Sequence, residues 1–305
     1  MTQLVSIGVC AYNELRRIAA LLDSLLDQSL PEDFVLKEII VVASGCTDGT
    51  DRLVEERTKV DARLVLIRES ERLGKSSALN KILSRYEGDI LILANADALL
   101  FPGAVFGLLQ AFALEDGIEI ACGFPKPEPS PNRVLNMVED VWWRLHNRTL
   151  KTLSDMGDGN HCCDEFMAMK RGFADSIPKD VINDGAYFGV LGALRGVTVR
   201  FCPRATVAVE TPTTLLGLLR QRRRIIAGHH QVASILGRAP YTLEGLARRQ
   251  PLVAARILAV ELYRQPVQTF AFTIIAMPLE IVAHLLALLD RTRADGYQPA
   301  WPVVE

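Results

Sequence analysis

No charge of one sign dominates this chain, which sets 34 Lys and Arg against 36 Asp and Glu over 305 residues. A general nucleic-acid binder needs an excess of basic side chains to neutralise phosphates, so nucleic acid is excluded as a partner. Cysteine is sparse. The six residues, at 10, 46, 122, 162, 163 and 202, have no framework spacing, which points to reduced thiols and a cytosolic compartment. His161-Cys162-Cys163-Asp164 has no CxxC companion. Adjacent thiols rarely both face one metal, so this run reads as a structural loop rather than a zinc site. No basic segment followed by an apolar one and a cleavage site opens the chain, and no signal peptide is expected. Internal repeats and low-complexity tracts are also lacking.

What is present is apolar mass in alternation. With 49% hydrophobic residues, the chain can bury a core and is not a disordered protein. Its length suits one large α/β domain, alone or with an appendage. Leu4–Cys10 reads as a short strand, then a helix from Glu14 to Leu26 with Leu15, Ile18, Leu22 and Leu25 on one face. Glu38–Val42 is a buried strand, followed by a helix to about Arg57 capped by Thr47 or Asp48. Leu64–Ile67, Asp89–Ala94 and Ile118–Gly123 are further strands, with helices over Ser76–Arg85 and from Pro102 between them. This order predicts a doubly wound, mainly parallel sheet, whose ligands sit beyond the carboxyl ends of the strands. Pro125–Pro131 breaks the pattern, and a long helix to about Leu153 follows. Later elements are a helix over 183–195, strands Val197–Phe201 and Thr206–Glu210, and an Arg-rich helix from Thr213 to about Leu236.

Three strand-end segments carry side chains suited to a nucleoside diphosphate: Ala11-Tyr12-Asn13-Glu14, Ala43-Ser44-Gly45-Cys46-Thr47-Asp48-Gly49-Thr50, and Asn95-Ala96-Asp97. A carboxylate placed there is a hard oxygen ligand for Mg²⁺ or Mn²⁺, although Asp97 alone is equally suited to capping the next helix. In order, these segments resemble the motifs of the family 2 glycosyltransferases, which have the GT-A fold. Ser6 to Glu14 is similar to the family's opening strand and P-A-Y-N-E turn, and Ile39 to Thr50 to its I-I-V-V-D-D-G-S-T-D-G-T run. Gly74-Lys75-Ser76-Ser77-Ala78-Leu79-Asn80 resembles G-K-x-x-A-L-N, and Gly88 to Asp97 resembles G-D-I followed by D-A-D. Asn183-Asp184 stands in the place of E-D, and Gln221 to Ile225 in that of Q-x-x-R-W. The likeness runs from about residue 4 to 232.

The resemblance implies inverting transfer of one hexosyl or N-acetylhexosaminyl unit from a nucleoside-diphosphate sugar, with UDP ranked ahead of GDP. The acceptor is a hydroxyl on a lipid-linked or other glycan, and the cofactor is Mg²⁺ or Mn²⁺. Asp97 matches the metal ligand and Asp184 the catalytic base, for which capping the 185–195 helix is the bland alternative. Ala11, Tyr12, Glu14, Ser44, Lys75, Asn95, Ala96, Gln221, Arg222 and Arg224 match positions lining the nucleotide sugar, the arginines through forked hydrogen bonds to phosphate. Ala43-Ser44 replaces an Asp pair, Asn95 an Asp, and Ile225 a Trp. The last change, with no transmembrane helices ahead of it, argues against a processive polymer synthase. A catalytically silent nucleotide-sugar-binding scaffold is the competing reading. A sugar nucleotidyltransferase would carry a Gly- and Arg-rich loop after the first strand, which is lacking. His161, His229 and His230 read as structural.

The last third has its own chemistry. Nine Arg and only two acids, Glu244 and Glu261, lie between Arg220 and Arg264, which suits an anionic partner or a membrane surface. Val267–Leu289 is long enough as a helix to cross a bilayer, but Pro278 and Glu280 interrupt it. Thr273, Glu280 and His284 form a narrow polar stripe, which favours an in-plane helix or one packed against Leu252–Arg264. Arg248, Arg249, Arg256 and Arg264 on one side, and Arg291 and Arg293 on the other, would meet headgroups. The expected organisation is therefore a GT-A-type domain over 1–236 and a helical, membrane-associating extension over 237–305, at the cytoplasmic face of the cell membrane.

Overall fold

The computed structural model describes residues 2–292. Its first half runs β1 (Gln3–Ala11), α1 (Ile18–Leu26), β2 (Phe34–Ser44), α2 (Thr50–Thr58), β3 (Leu64–Glu69), α3 (Lys75–Leu83), β4 (Ile90–Asn95), β5 (Leu99–Leu100) and α4 (Ala104–Leu114). There follow β6 (Ile120–Pro127), α5 (Arg133–Asp155), β7 (Phe166–Lys170), α6 (Asp184–Leu194), β8 (Arg200–Val209) and α7 (Leu215–Leu236). Three helices complete the described residues: α8 (Leu243–Arg249), α9 (Pro251–Arg264) and α10 (Pro266–Thr292). The strands form one sheet in the order β3-β2-β1-β4-β7-β6-β8-β5. The β3-β2-β1-β4 half is parallel throughout, as expected. β7 then enters antiparallel to both β4 and β6, while β6 and β8 pair in parallel, so the whole sheet is mixed.

Burial on both faces explains the unbroken apolar run of β2. Ile39 and Val41 face a core shared with Ile18, Leu21, Leu22 and Leu25 of α1. Ile40 and Val42 face the opposite core, with Leu79 and Ile82 of α3 and Phe188 of α6. Strands buried on both sides lose the in-out alternation of an exposed sheet.

Several boundaries differ from expectation. Glu14–Arg17 is a turn instead of the first helical turn, and Leu15 is exposed. Its amide donates to Asp48 Oδ2 at 3.0 Å, so the segment is drawn toward the neighbouring loop. Gly49, with φ of 98°, rather than Thr47 or Asp48, occupies the N-cap position of α2. β6 continues through Pro125 to Pro127 because β7 pairs with it only as far as Cys122. Beyond that point one edge is unpaired, and proline's missing N–H costs no ladder bond there. The two strands expected over 197–210 are one, β8. β7 is an element the sequence does not announce: Phe-Met-Ala-Met-Lys has no β-branched residue and contains good helix formers.

The last helices fold back on α5 and α7. Glu261 of α9 is buried against Arg144 at 2.6 Å and Arg148 at 3.4 Å. Small residues Ala276, Ala283 and Ala287 let α10 lie close, and Arg222 grips its Glu280 through two hydrogen bonds of 2.9 and 2.7 Å. Arg223 likewise grips Asp290, with Nε at 2.7 Å. α10 therefore lies mainly on α7 and α5, and less on α9 than expected. Its outer side is apolar and exposed along Val267, Phe270, Ile274, Met277, Ile281, Leu285 and Leu288. Pro266–Asp290 is long and apolar enough to cross a membrane, and only 17% of its most apolar window is buried. Arg293 and the side chain of Arg291 lie outside the described residues.

Glu139 of α5 is 4% exposed, and its Oε1 has no hydrogen-bond partner. Burial pushes its pKa up to about 7, against the pull of Arg222 and a hydrogen bond with Trp143. In the unfolded chain a glutamate ionises at about 4.3. Between those values the folded state keeps a proton that the unfolded state has lost, so stability falls as pH rises through the window. Glu139→Gln should therefore lose less stability than wild type between about pH 5 and pH 8. Denaturation midpoints at the two pH values check this, and an unchanged difference would refute it.

Candidate active site

The floor of the site is two strand-end loops laced together. Asn13, held in the left-handed region at φ 55°, accepts the Thr47 amide at 2.8 Å through Oδ1, and its Nδ2 donates to Thr47 Oγ1 at 3.2 Å. The Glu14 amide donates to Thr50 Oγ1 at 2.8 Å, and that hydroxyl donates to Asp48 Oδ1 at 2.6 Å. Burial would raise the Asp48 pKa, but hydrogen bonds from Thr50 and Leu15 outweigh it and hold the carboxylate below its ordinary value. Gly45, at φ 63°, passes so close to Glu71 and Arg72 that an added Cβ would lie 2.4 Å from the Arg72 amide nitrogen. Only glycine fits both demands.

Lys75, at the start of α3, is the hub. Its ammonium lies 2.8 Å from Asn95 Oδ1, 2.9 Å from Asp184 Oδ1 and 3.5 Å from Asp164 Oδ2. Burial works against its charge, yet Asp184 and Asp164 prevail and raise its pKa. Asp184 begins α6, but the cap is Asn183, whose side chain accepts the Ala186 amide at 2.8 Å. Asp184 is 2% exposed, and its Oδ2 has no hydrogen-bond partner. Burial lifts its pKa above the usual carboxylate range, opposed by Lys75 and reinforced by Asp164.

A second group of acids lies at Asp97. Burial raises the pKa of Asp97, and burial with the charges of Asp97 and Glu210 takes Glu14 up to about 7. Arg17 donates to the Asp97 carbonyl at 3.3 Å and pairs with Glu128 at 2.5 Å and Glu210 at 3.2 Å. Among the described residues, no three ligating side chains are already gathered to hold a metal ion. The oxygen donors of Asp97 and Glu14 suit Mg²⁺ or Mn²⁺, provided the remaining ligands come from a bound molecule.

The other expected residues divide. Arg224 stays with the site, where its charge bears on Asp164. Arg222 does not: Glu280 holds it, and its guanidinium lies 4.1 Å from the Trp142 ring centroid. Gln221 is partly buried on the same helix. Ser44 is buried and accepts the Leu73 amide at 3.3 Å, so its hydroxyl holds a loop. Asn95 is engaged by Lys75. Ala11 and Ala96 are buried and shape the floor. Tyr12 carries the Arg72 guanidinium 3.7 Å above its ring.

Asp164 is not among the expected site residues, because the run that contains it has the look of a structural loop in the sequence. The histidines stack edge to face, His146 with His161 at 5.6 Å and His161 with His229 at 5.0 Å. Burial lowers the pKa of all three, that of His146 to about 3, so they are neutral.

Comparison with known proteins agrees with this architecture. The model of glycosyl transferase family 2 matches residues 6–177. The poly-beta-1,6-N-acetyl-D-glucosamine synthases of Staphylococcus aureus (strain COL) and Staphylococcus epidermidis are each 23% identical, covering 73% and 75% of this chain. The alignments take in 54% and 55% of those proteins, so the chain spans about half the length of these curated relatives. Mannosyltransferase PcManGT from Pyrobaculum calidifontis, solved with GDP-Man and Mn²⁺, is 19% identical with a TM-score of 0.66, covering 96% of this chain and 88% of that one. Glucosyl-3-phosphoglycerate synthase from Mycobacterium tuberculosis, solved with Mn²⁺, UDP and phosphoglyceric acid, is 22% identical with a TM-score of 0.51, covering 75% and 78%. These likenesses establish the GT-A fold. With the family match over more than half the chain, they identify it as a member of glycosyl transferase family 2.

Proposed function

We propose that this protein transfers a single hexosyl or N-acetylhexosaminyl unit from a nucleoside-diphosphate sugar to an acceptor hydroxyl, with inversion at the anomeric carbon. The observation that carries this reading is Asp184. A single displacement needs a base aimed at the acceptor hydroxyl and positive charge at the departing diphosphate. Asn183 has taken the capping role, which leaves Asp184 a buried carboxylate of raised basicity with one oxygen unpartnered. Lys75 supplies fixed positive charge beside it, and the charge of Arg224 bears on the neighbouring Asp164. A divalent cation held by Asp97, with Glu14 beside it, would add neutralising charge to the diphosphate. UDP ranks ahead of GDP on the motif resemblance alone. A silent scaffold is disfavoured, because Asp97, Asp184, Lys75 and Arg224 all match the motifs, and their charges bear on Lys75 or Asp164.

Attachment to the cytoplasmic face of a membrane, where a lipid-linked or other glycan acceptor would be met, belongs to the same reading. Residues 237–305 serve as the attaching extension. α10 is long enough to span, but spanning would pull Glu280 and Asp290 from Arg222 and Arg223 and strand charge in hydrocarbon. Lying in the interface keeps those pairs intact and places the apolar outer stripe in lipid. Arg256 and Arg264, exposed on α9, are then available to anionic headgroups.

Asp184→Asn should leave donor affinity nearly unchanged while transfer falls roughly 10²–10⁴-fold, the range for a lost general base. Calorimetry and a transfer assay on the same variant check this, and near-normal transfer would remove Asp184 from the role. Asp97→Ala should abolish the Mn²⁺-dependent thermal stabilisation by a nucleotide sugar, whereas Asn95→Ala should only weaken it. Retained stabilisation in Asp97→Ala would sink the metal assignment. Replacing Phe270, Ile274 and Met277 together by Ser should release the folded protein from anionic vesicles in a sedimentation assay. Equal vesicle binding by the triple variant would count against an interfacial α10.

A further inference from the structure

Asp164 has no role of its own in the reading above, yet it shares the Lys75 ammonium with Asp184. The backbone puts it there. The Asn95 amide donates to the Glu165 carbonyl at 3.1 Å, so the chain entering β7 passes the carboxyl end of β4, beside the Asn95-Ala96-Asp97 segment. Helix α6 fixes it from the other side. A Cβ on Gly185 would lie 2.9 Å from the Asp164 nitrogen and 3.0 Å from its Cβ, so Asp164 and the start of α6 are flush. Asp164 and Asp184 consequently share one ammonium, at 3.5 and 2.9 Å from Lys75 Nζ.

The two carboxylates differ in access. The Asp184 side chain is 3% exposed and that of Asp164 28%, so Asp164 is the one a bound molecule can reach. Three occupants can be weighed. A diphosphate is repelled by a carboxylate, and is already served by Lys75 and Arg224. A divalent cation at Asp164 would crowd the Lys75 ammonium, which touches both Asp164 and Asn95. Hydroxyl groups remain, and an ionised carboxylate is an acceptor-only group with several lone-pair sites for them. Position favours the same answer. Asp164 shares the Lys75 ammonium with Asp184, so it stands next to both a charge that would hold the phosphates and the candidate base. In a nucleoside-diphosphate sugar the attacked anomeric carbon is bonded directly to the terminal phosphate oxygen, so the hydroxyl-bearing ring is the part of the donor that lies next to both.

Resting on the transferase reading, we propose that Asp164 recognises the donor sugar, its carboxylate accepting hydrogen bonds from hydroxyls of the hexopyranose. It is a specificity residue: it neither takes the acceptor proton nor holds the cation. The experiment compares full-length wild type with Asp164→Asn and Asp164→Ala by calorimetry in the presence of Mn²⁺. The titrants are UDP, GDP, and their glucose, N-acetylglucosamine and mannose conjugates. Both variants should bind the bare diphosphate as wild type does. Their dissociation constants for the matching sugar conjugate should rise about 10–100-fold relative to that diphosphate, the range for a hydrogen bond to a charged group. Equal weakening of diphosphate and conjugate would make Asp164 a support for Lys75 and overturn the proposal. Loss of the Mn²⁺ dependence of diphosphate binding would make it a metal ligand and overturn the proposal as well. Unchanged affinities throughout would do the same. Thermal unfolding accompanies each titration, and the folded state is expected to survive because Lys75 keeps Asn95 and Asp184. Failure of the transferase reading looks different: wild type itself would then transfer no sugar from any of these donors, whatever it binds.

Discussion

One half-buried ammonium organises the candidate site of this protein. Lys75 meets Asn95 from β4, Asp164 from the approach to β7 and Asp184 from the start of α6. These are separate parts of the chain, and two carboxylates gathered so closely would be electrostatically costly without a shared cation. The hub donates hydrogen bonds to Asn95 and Asp164 and pairs by charge with Asp184 Oδ1, while Asp184 Oδ2 is left unpartnered. It also couples the ionisation of its neighbours, since Lys75 opposes and Asp164 reinforces the raised pKa of Asp184. The departure from the family pattern at Asn95 acquires a physical meaning here. A neutral carbonyl oxygen at that position accepts from Lys75 without competing with Asp184 for its charge.

Much of the remaining motif is scaffolding that delivers the hub. Asn80, the last residue of the G-K-x-x-A-L-N run, clamps the backbone of Ile177 with two hydrogen bonds of 2.9 and 2.8 Å. Ser76 donates to the Val181 carbonyl at 3.0 Å. From α7, Gln231 accepts the Ile182 amide at 2.9 Å, and Gly228 packs against Ile182 and Asn183. The segment carrying Asp184 is thereby held from two helices before it enters α6. Asn13, Thr47, Asp48 and Thr50 do the same for the first two loops. Motif residues of this kind position the reactive groups without being among them.

The parallel half of the sheet was legible because its strands are continuous apolar runs and its loops carry ordered motifs. Of the candidate site residues, Lys75, Asn95 and Asp184 stand in separate motifs of the sequence, and the structure brings their side chains together. The site was illegible where a partner distant in sequence decides the matter. Ser44 is taken by Leu73, and Arg222 by Glu280, 58 residues away. β7 lacks the β-branched residues that announce a strand, and with β7 unseen, nothing placed Asp164 beside the end of β4. The turn at Glu14–Arg17 failed for a related reason: helical periodicity in Leu15, Ile18, Leu22 and Leu25 carried no sign that Asp48 would claim the Leu15 amide.

Helix α7 connects the two halves of the proposed function. Successive residues on a helix point about 100° apart, because 3.6 residues make a turn. Arg222, Arg223 and Arg224 therefore cannot serve one surface. The first two are spent on Glu280 and Asp290 of α10, and the third bears on Asp164. One turn further on, Gly228 packs against the segment that delivers Asp184. The helix whose Arg224 would bring positive charge to the proposed donor is thus the helix to which the apolar α10 is clamped. An arginine run that reads in sequence as one basic face is divided by helical geometry between anchoring and chemistry. The acids of α10 are correspondingly turned inward, which leaves its outer stripe free of charge and fit for an apolar surface.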